Sequence, residues 1–215
     1  MNVIAITVST NYEDYLRLTL QENHTFFKKW YIVTAPADDK TKKLCANYSN
    51  VECLLYDLQV EGSPFRKGNA LSMVQKLVYK CHADASYLIL DSDICLPKNF
   101  LNCIQKIEID ENTIYGADRL MYLTIEDYRS KKSDVELLCW NPNKALNIKP
   151  AFWMVPHGYF QLYKTKHIYP NSKTAGECDV KFASKFLNKI NLPLIVSHIG
   201  MPEVNWNGRT SPKEC

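Results

Sequence analysis

The sequence predicts a single α/β domain with a mostly parallel central sheet flanked by helices. Two observations carry that prediction. Short apolar, β-branched runs alternate with helix-period stretches through the first hundred residues, the pattern of strands joined by crossover helices. The chain has 215 residues, 46% hydrophobic and 23% charged, so one core can bury roughly 70% of the unfolded surface without a disulfide or metal staple. No linker-like stretch divides it, so residues 1–215 read as one domain. Its regular half runs over about 1–95 and its less regular half over about 96–215.

Each element has its own signal. VIAITV (3–8) is a β-branched strand, followed by helix formers with spaced apolar residues over 11–30. WYIVTA (30–35) is a second strand closed by Pro36, DDKTKKLCANY (38–48) a short helix opened by acids, and VECLLY (51–56) a third strand. From Gly68, the residues Ala70, Val74, Leu77, Val78 and Cys81 fall on one helical stripe. ASYLIL (85–90) is apolar enough for a strand buried on both faces. The second half is less regular. TIYGA (113–117) is strand-like, 126–136 is charged, and the prolines at 142, 150 and 156 make 141–156 a loop or edge segment. HGYFQLY (157–163) alternates as a strand. A stripe of Phe182, Ala183, Phe186, Leu187 and Ile190 predicts a helix opened by Asp179, and LPLIVSHIG (192–200) a last strand.

Composition excludes several classes. The 26 basic and 23 acidic residues leave a net charge of +3, too weak to argue for nucleic acid or a membrane surface. No stretch nears the ~18 uninterrupted apolar residues of a membrane-spanning helix. The chain opens straight into a strand rather than a leader. Eight cysteines form no C-x-x-C pair, and Cys53 and Cys81 sit inside apolar patterns. They read as small buried hydrophobes in a reducing, cytoplasmic compartment, which makes the sequons at Asn23 and Asn47 coincidental.

In an open α/β sheet, ligands bind beyond the carboxyl ends of the strands. That rule selects STN (9–11), TAPADDKT (34–41), DSD (91–93) and HIG (198–200). In extended chain, Asp91 and Asp93 would point to one side with Ser92 pointing away. Two carboxylates aimed together call for a cation between them, and a hard divalent ion, Mn²⁺ or Mg²⁺, fits. With twelve aspartates in the chain, such a triplet arises by chance nearly once; its place after an apolar strand is what makes it informative. His198 ends the last strand and could complete that coordination, although a lone histidine is more often structural. Arg66 and Lys67 open a helix, a place suited to a phosphate or sugar hydroxyl and equally to a plain surface helix start. Asp179 reads either as a helix cap or as a carboxylate base.

Together these residues resemble the GT-A fold glycosyltransferases, over roughly residues 3–209. VIAITVSTNYEDYLRLTL is similar to their first strand and nucleotide loop, YIVTAPADDKT to the base-holding element, FRKGNAL to the lysine-glycine segment over the donor, and ASYLILDSDICLP to the D-x-D strand. GECDVKFASKF resembles the acidic acceptor helix, and VSHIGMPEVNWNGR the late histidine and C-terminal loop. The small size and Lys- and Asn-rich character resemble the virus-encoded members, which would place the chain in host cytoplasm.

The resemblance implies a Rossmann-like GT-A domain that moves a sugar from a nucleoside diphosphate sugar, a UDP-sugar above all, to a hydroxyl of a glycan acceptor. Thr7, Ser9 and Asn11, with Asp38 or Asp39, would hold the nucleoside. Arg66, Lys67, Asp91 and Ser92 would line the donor. Asp93 and His198 would ligate the metal, with Asp91 reaching it directly or through water. Asp179 would be the base, with Glu177 its competitor, because Cys178-Asp179 stands where the class has Glu-Asp. Two alternatives remain. A sugar-phosphate nucleotidyltransferase shares the strand order but carries a Gly-rich loop where this chain has STNYEDYLR. A non-catalytic nucleotide-sugar-binding module would not need both aspartates and the histidine. The SPKEC ending leaves room for further domains of a longer protein.

Overall fold

The computed structural model of the protein describes residues 2–59, 65–139, 158–172 and 174–200. The strands are β1 (Val3–Val8), β2 (Lys29–Thr34), β3 (Val51–Leu55), β4 (Ser86–Leu90), β5 (Ile94–Cys95), β6 (Thr113–Tyr122), β7 (Phe160–Tyr163) and β8 (Asn188–Ile199). The helices are α1 (Glu13–Asn23), α2 (Asp39–Cys45), α3 (Lys67–Cys81), α4 (Phe100–Gln105), α5 (Ile125–Cys139) and α6 (Ala175–Ala183). They build one α/β domain on an eight-stranded sheet in the order β3-β2-β1-β4-β7-β6-β8-β5.

The run β3-β2-β1-β4 is parallel and Rossmann-like, as expected. β7 then pairs antiparallel with both β4 and β6, β8 runs parallel to β6, and β5 closes the far edge antiparallel to β8. The sheet therefore runs unbroken from the first half of the chain into the second.

Strand alternation divides the core between the two faces. Val3 and Ala5 of β1 and Leu88 and Leu90 of β4 pack with Leu16, Leu20, Leu44 and Phe100. Ile4, Ile6, Tyr87 and Ile89 face the other way, onto Leu71 and Val74 of α3 and Phe182 of α6. Helices α1, α2 and α4 thus cover one face, and α3 and α6 the other.

The structure corrects several expectations. The first helix ends at Asn23, and a 3-10 turn at His24–Phe26 leads into β2. The last helical stripe fails beyond Ala183. Leu187 is 81% exposed, and from Asn188 the chain pairs in parallel with Thr113 onward. Backbone pairing with a strand that already exists outweighs a weak helical period. Asp179 is not the cap of α6. That cap is Thr174, whose side chain accepts from the Glu177 N–H at 3.1 Å, and T-x-x-E is a capping-box spacing. β5 and α4 had no sequence signal. The proline-bearing segment 141–156 and the chain after Gly200 lie outside the described residues.

Two polar side chains inside the fold set up the site. Asn23 donates from Nδ2 to the Ile94 carbonyl at 2.7 Å and accepts from the Leu96 N–H at 2.9 Å, which pins the segment after Asp93. Asp38, 6% exposed, accepts from the Asn11 N–H at 2.7 Å, the Thr34 hydroxyl at 2.9 Å and the Thr41 N–H at 3.1 Å. It ties the exits of β1 and β2 together, and the tie holds Asn11 at a φ of 60°, a backbone conformation that Asn tolerates. Thr7 is occupied in the same way. Its hydroxyl donates to the Leu90 carbonyl at 2.6 Å and accepts from the Trp30 indole at 2.9 Å. Thr7→Val keeps the shape and removes that acceptor, leaving a buried indole N–H unmatched. It should cost about 1–3 kcal/mol in chemical denaturation; unchanged stability would overturn that structural role.

Candidate active site

Three charged side chains from distant parts of the chain meet beyond the end of β4. Lys67 opens α3, Asp91 follows β4, and Asp179 stands midway along α6. Lys67 Nζ lies 3.0 Å from Asp91 Oδ1 and 3.4 Å from Asp179 Oδ2. The lysine is 7% exposed, while a third of the Asp91 side chain is open to solvent. Burial opposes the ammonium charge, but the Asp179 and Asp91 carboxylates overcome it and raise the Lys67 pKa above its usual value. Burial pushes the Asp91 carboxyl up to about 6; Lys67 pulls it down, and Asp93 and Asp179 push it up again.

Close backbone approach makes this meeting possible. A Cβ at position 68 would stand 2.2 Å from the Pro170 carbonyl oxygen. Only glycine lets the chain leading into α6 lie directly on the start of α3.

A second cluster is built by β5, β6 and β8. Ile94 pairs with His198, and the Ile199 N–H donates to the Asp93 carbonyl at 2.9 Å. That registry brings the His198 Nε2 and Asp93 Oδ2 atoms to 3.5 Å, both side chains being buried. Arg119 on β6 is a diagonal neighbour of His198 across the β6–β8 pairing. Its Nη1 donates to His198 Nδ1 at 2.8 Å, and its guanidinium lies 4.7 Å from the Tyr159 ring centre. A guanidinium has no acceptor. So Nδ1 presents its lone pair to Arg119, and a neutral ring keeps its hydrogen on Nε2, facing Asp93.

The DSD triplet departs from the extended geometry expected of it. The Ile94 N–H donates to the Asp91 carbonyl at 3.4 Å across a turn, so side-chain alternation does not apply. Asp91 ion-pairs with Lys67 while Asp93 faces His198. Among the described residues, no group of three or more His, Cys, Asp or Glu side chains converges as metal ligands.

The remaining candidates separate clearly. Ser9, at the tip of β1, is 1% exposed, and its hydroxyl has no hydrogen-bond partner among the described residues. Asp39 is exposed and pairs with Lys42 at 2.6 Å, apart from the buried Asp38. Arg66 lies over the Tyr56 ring at 4.9 Å and reaches the Asp57 carbonyl at 3.4 Å. Ser92 is buried, and its carbonyl accepts from Thr19 at 2.9 Å. Glu177 pairs with Lys181 along α6 at 2.7 Å, 40% exposed; Asp179, not Glu177, joins Lys67 and Asp91. Sequence reading missed Arg119, Tyr159, Tyr169 and Gly158. None lies in a recognisable motif, and only the folded sheet brings them to the site.

No family profile matches this chain, and no curated protein does. Solved structures do resemble it. An inositol-1-phosphate CTP transferase from T. maritima aligns at 9% identity over 93% of this chain and 89% of its own, with a TM-score of 0.49. A 4-diphosphocytidyl-2C-methyl-D-erythritol synthase aligns at 14% identity over 54% of this chain and 58% of its own, with a TM-score of 0.40. HddC from Yersinia pseudotuberculosis aligns at 13% identity over 54% and 59%, with a TM-score of 0.39. The chain thus covers less than two thirds of the length of the synthase and of HddC. Overlap this loose carries no activity over to the chain.

The ion cluster has a measurable signature. In an NMR titration of the metal-free protein, Asp91 should titrate near pH 6, and Lys67→Met should move that midpoint upward by removing both the charge and the hydrogen bond that lower it. The raised carboxyl costs stability above its midpoint and not below the unfolded-state value. The stability deficit of Lys67→Met should therefore shrink as pH falls through the midpoint. An equal deficit at about pH 5 and about pH 8 would point to lost packing instead.

Proposed function

We propose that this chain is a nucleotide-dependent transferase, and that it moves a sugar from a nucleoside diphosphate sugar to an acceptor hydroxyl. The observation that carries the reading is the convergence of Lys67, Asp91 and Asp179 at the carboxyl ends of the parallel strands, the place where open α/β sheets bind ligands.

Each residue has a role suited to its surroundings. Ser9 offers an unused donor to the nucleoside, and Lys67 offers a fixed positive charge to the donor's anionic part. Asp179 receives the proton of the acceptor hydroxyl, while Lys67 limits the cost of the charge it carries. Asp91 and Asp93 suit a hard cation such as Mn²⁺ or Mg²⁺, which takes one or two carboxylates and completes its shell with phosphate and water. When bound, that ion would supply neutralisation of the departing diphosphate. His198 fits as a ligand only once Arg119 releases Nδ1, which frees the ring to move its hydrogen off Nε2.

A second reading is nucleotidyl transfer from a nucleoside triphosphate to a sugar phosphate or a related alcohol phosphate. It draws on the buried Lys67 ammonium, which suits charge developing on a transferring phosphate. One feature weighs toward the first reading: a phosphate nucleophile is already ionised and needs no base such as Asp179.

One assay separates the readings. The protein is given UDP-glucose and Mn²⁺, and separately CTP or UTP with glucose 1-phosphate. Metal-dependent UDP release, abolished in Asp93→Ala and reduced about 10²–10⁴-fold in Asp179→Asn, is the expected result. Pyrophosphate release from the triphosphate without UDP release from the sugar nucleotide would establish the second reading. Calorimetry that finds Mn²⁺-dependent UDP binding undiminished in Asp93→Ala would remove Asp93 from the metal site.

A further inference from the structure

The Asp179 carboxylate is confined on three sides, and two of the residues confining it have no role so far. Tyr169 Oη donates to Asp179 Oδ1 at 2.7 Å, and Lys67 holds Oδ2. Gly158 closes the third side: a Cβ there would stand 1.9 Å from Oδ2 and 2.0 Å from the carboxyl carbon. Any side chain at 158 would occupy the volume in which the carboxylate sits.

Tyr169 is itself held firmly. Its buried ring stacks on Phe182 with centroids 4.3 Å apart and planes 22° apart. Its backbone N–H donates to Gln75 Oε1 at 2.6 Å. Its hydroxyl is also 2.6 Å from Gln161 Oε1, and Gln161 Nε2 donates to the Asp179 carbonyl at 3.2 Å. Gln161 thus grips the backbone of the residue whose side chain Tyr169 holds. Burial together with Asp179 keeps the phenol protonated, its pKa raised well above the usual value.

Packing explains the ring but not the hydroxyl. Phenylalanine would stack on Phe182 equally well without the cost of burying a phenol. Lys67 does not make Tyr169 redundant, because the ammonium lies nearer Asp91 than Asp179. Without Tyr169, Asp179 Oδ1 would keep only the long contact from the Cys178 thiol at 3.8 Å, too weak to stop the carboxylate turning toward the lysine.

We propose that Tyr169 and Gly158 are positioning residues for Asp179: the Tyr169 hydroxyl sets the direction of the carboxylate, and the bare backbone of Gly158 is the space it fills. This rests on the reading of Asp179 as the base, and the experiment keeps the two apart. UDP release from UDP-glucose with Mn²⁺ is measured for Tyr169→Phe, Gly158→Ala, Asp179→Asn and the Tyr169→Phe/Asp179→Asn double variant, alongside UDP affinity and melting temperature.

Tyr169→Phe should lose about 10–100-fold in kcat, since misplacing a reacting group by an ångström costs on that scale, with UDP affinity within about twofold. Gly158→Ala should fall as far as Asp179→Asn, and the double variant should be no slower than Asp179→Asn alone, because Tyr169 acts through Asp179. Full turnover in Tyr169→Phe beside a slow Asp179→Asn overturns the positioning inference and leaves the base in place. Full turnover in Asp179→Asn overturns both. A crystal structure of Tyr169→Phe gives a readout that needs no donor: an Asp179 carboxylate turned from its place is expected, and one unmoved beside Lys67 overturns the inference.

Discussion

The buried ammonium of Lys67 is the constraint on which the rest of the site depends. It stands between two carboxylates, from β4 and α6, at 3.0 and 3.4 Å. A lone buried ammonium would be driven to lose its proton, and two buried carboxylates side by side would be driven to gain one. The carboxylates favour the Lys67 ammonium, and the ammonium in turn pulls the Asp91 carboxyl down. The cluster therefore fixes how the start of α3, the end of β4 and the middle of α6 lie relative to one another. A buried pair that loses one partner leaves an uncompensated charge, so such a cluster resists piecemeal change.

The polar interior elsewhere serves that arrangement. Asp38 ties the loops after β1 and β2 with a single carboxylate, Asn23 holds the chain that follows Asp93, and Thr7 satisfies the Trp30 indole deep in the sheet. Each has the composition of a binding residue and the position of a structural one. Polar side chains at strand exits face two demands: loop backbone needs partners, and so do ligands. Asp38 meets the first demand with three accepted hydrogen bonds, while the buried Ser9 hydroxyl has no partner among the described residues.

The second cluster joins the first at the turn after β4. Asp91 belongs to the lysine set and Asp93 to the histidine set, with one residue between them, and the turn after β4 aims the two carboxylates at different partners. A cation drawn to both aspartates would couple the sets. Arg119 stands at the far end of that coupling, its guanidinium on His198 Nδ1 and over Tyr159.

Much of the first half was legible in the sequence, because parallel strands buried on both faces must be apolar runs and their crossover helices must carry a stripe. VIAITV, WYIVTA, VECLLY, ASYLIL and the stripe from Ala70 to Val78 all lie in the elements expected of them. Strand exits marked Asp91, Asp93 and His198 as candidates, and the start of a helix marked Lys67. The sequence could not show that β7 joins the sheet antiparallel, that the stripe past Ala183 becomes β8, or that Asp179 sits inside α6 behind a Thr174 cap. Pairing partners lie far away along the chain, and local periodicity carries no record of them. Nor could it show that Glu177 looks to solvent while Asp179 meets Lys67, or that Gly158 and Tyr169 shape the space around that carboxylate. Residue type and spacing determine which chemistry a strand end can offer. Only the packing of α3 and α6 against one sheet decides which of those groups share a buried site and which are spent in holding it together.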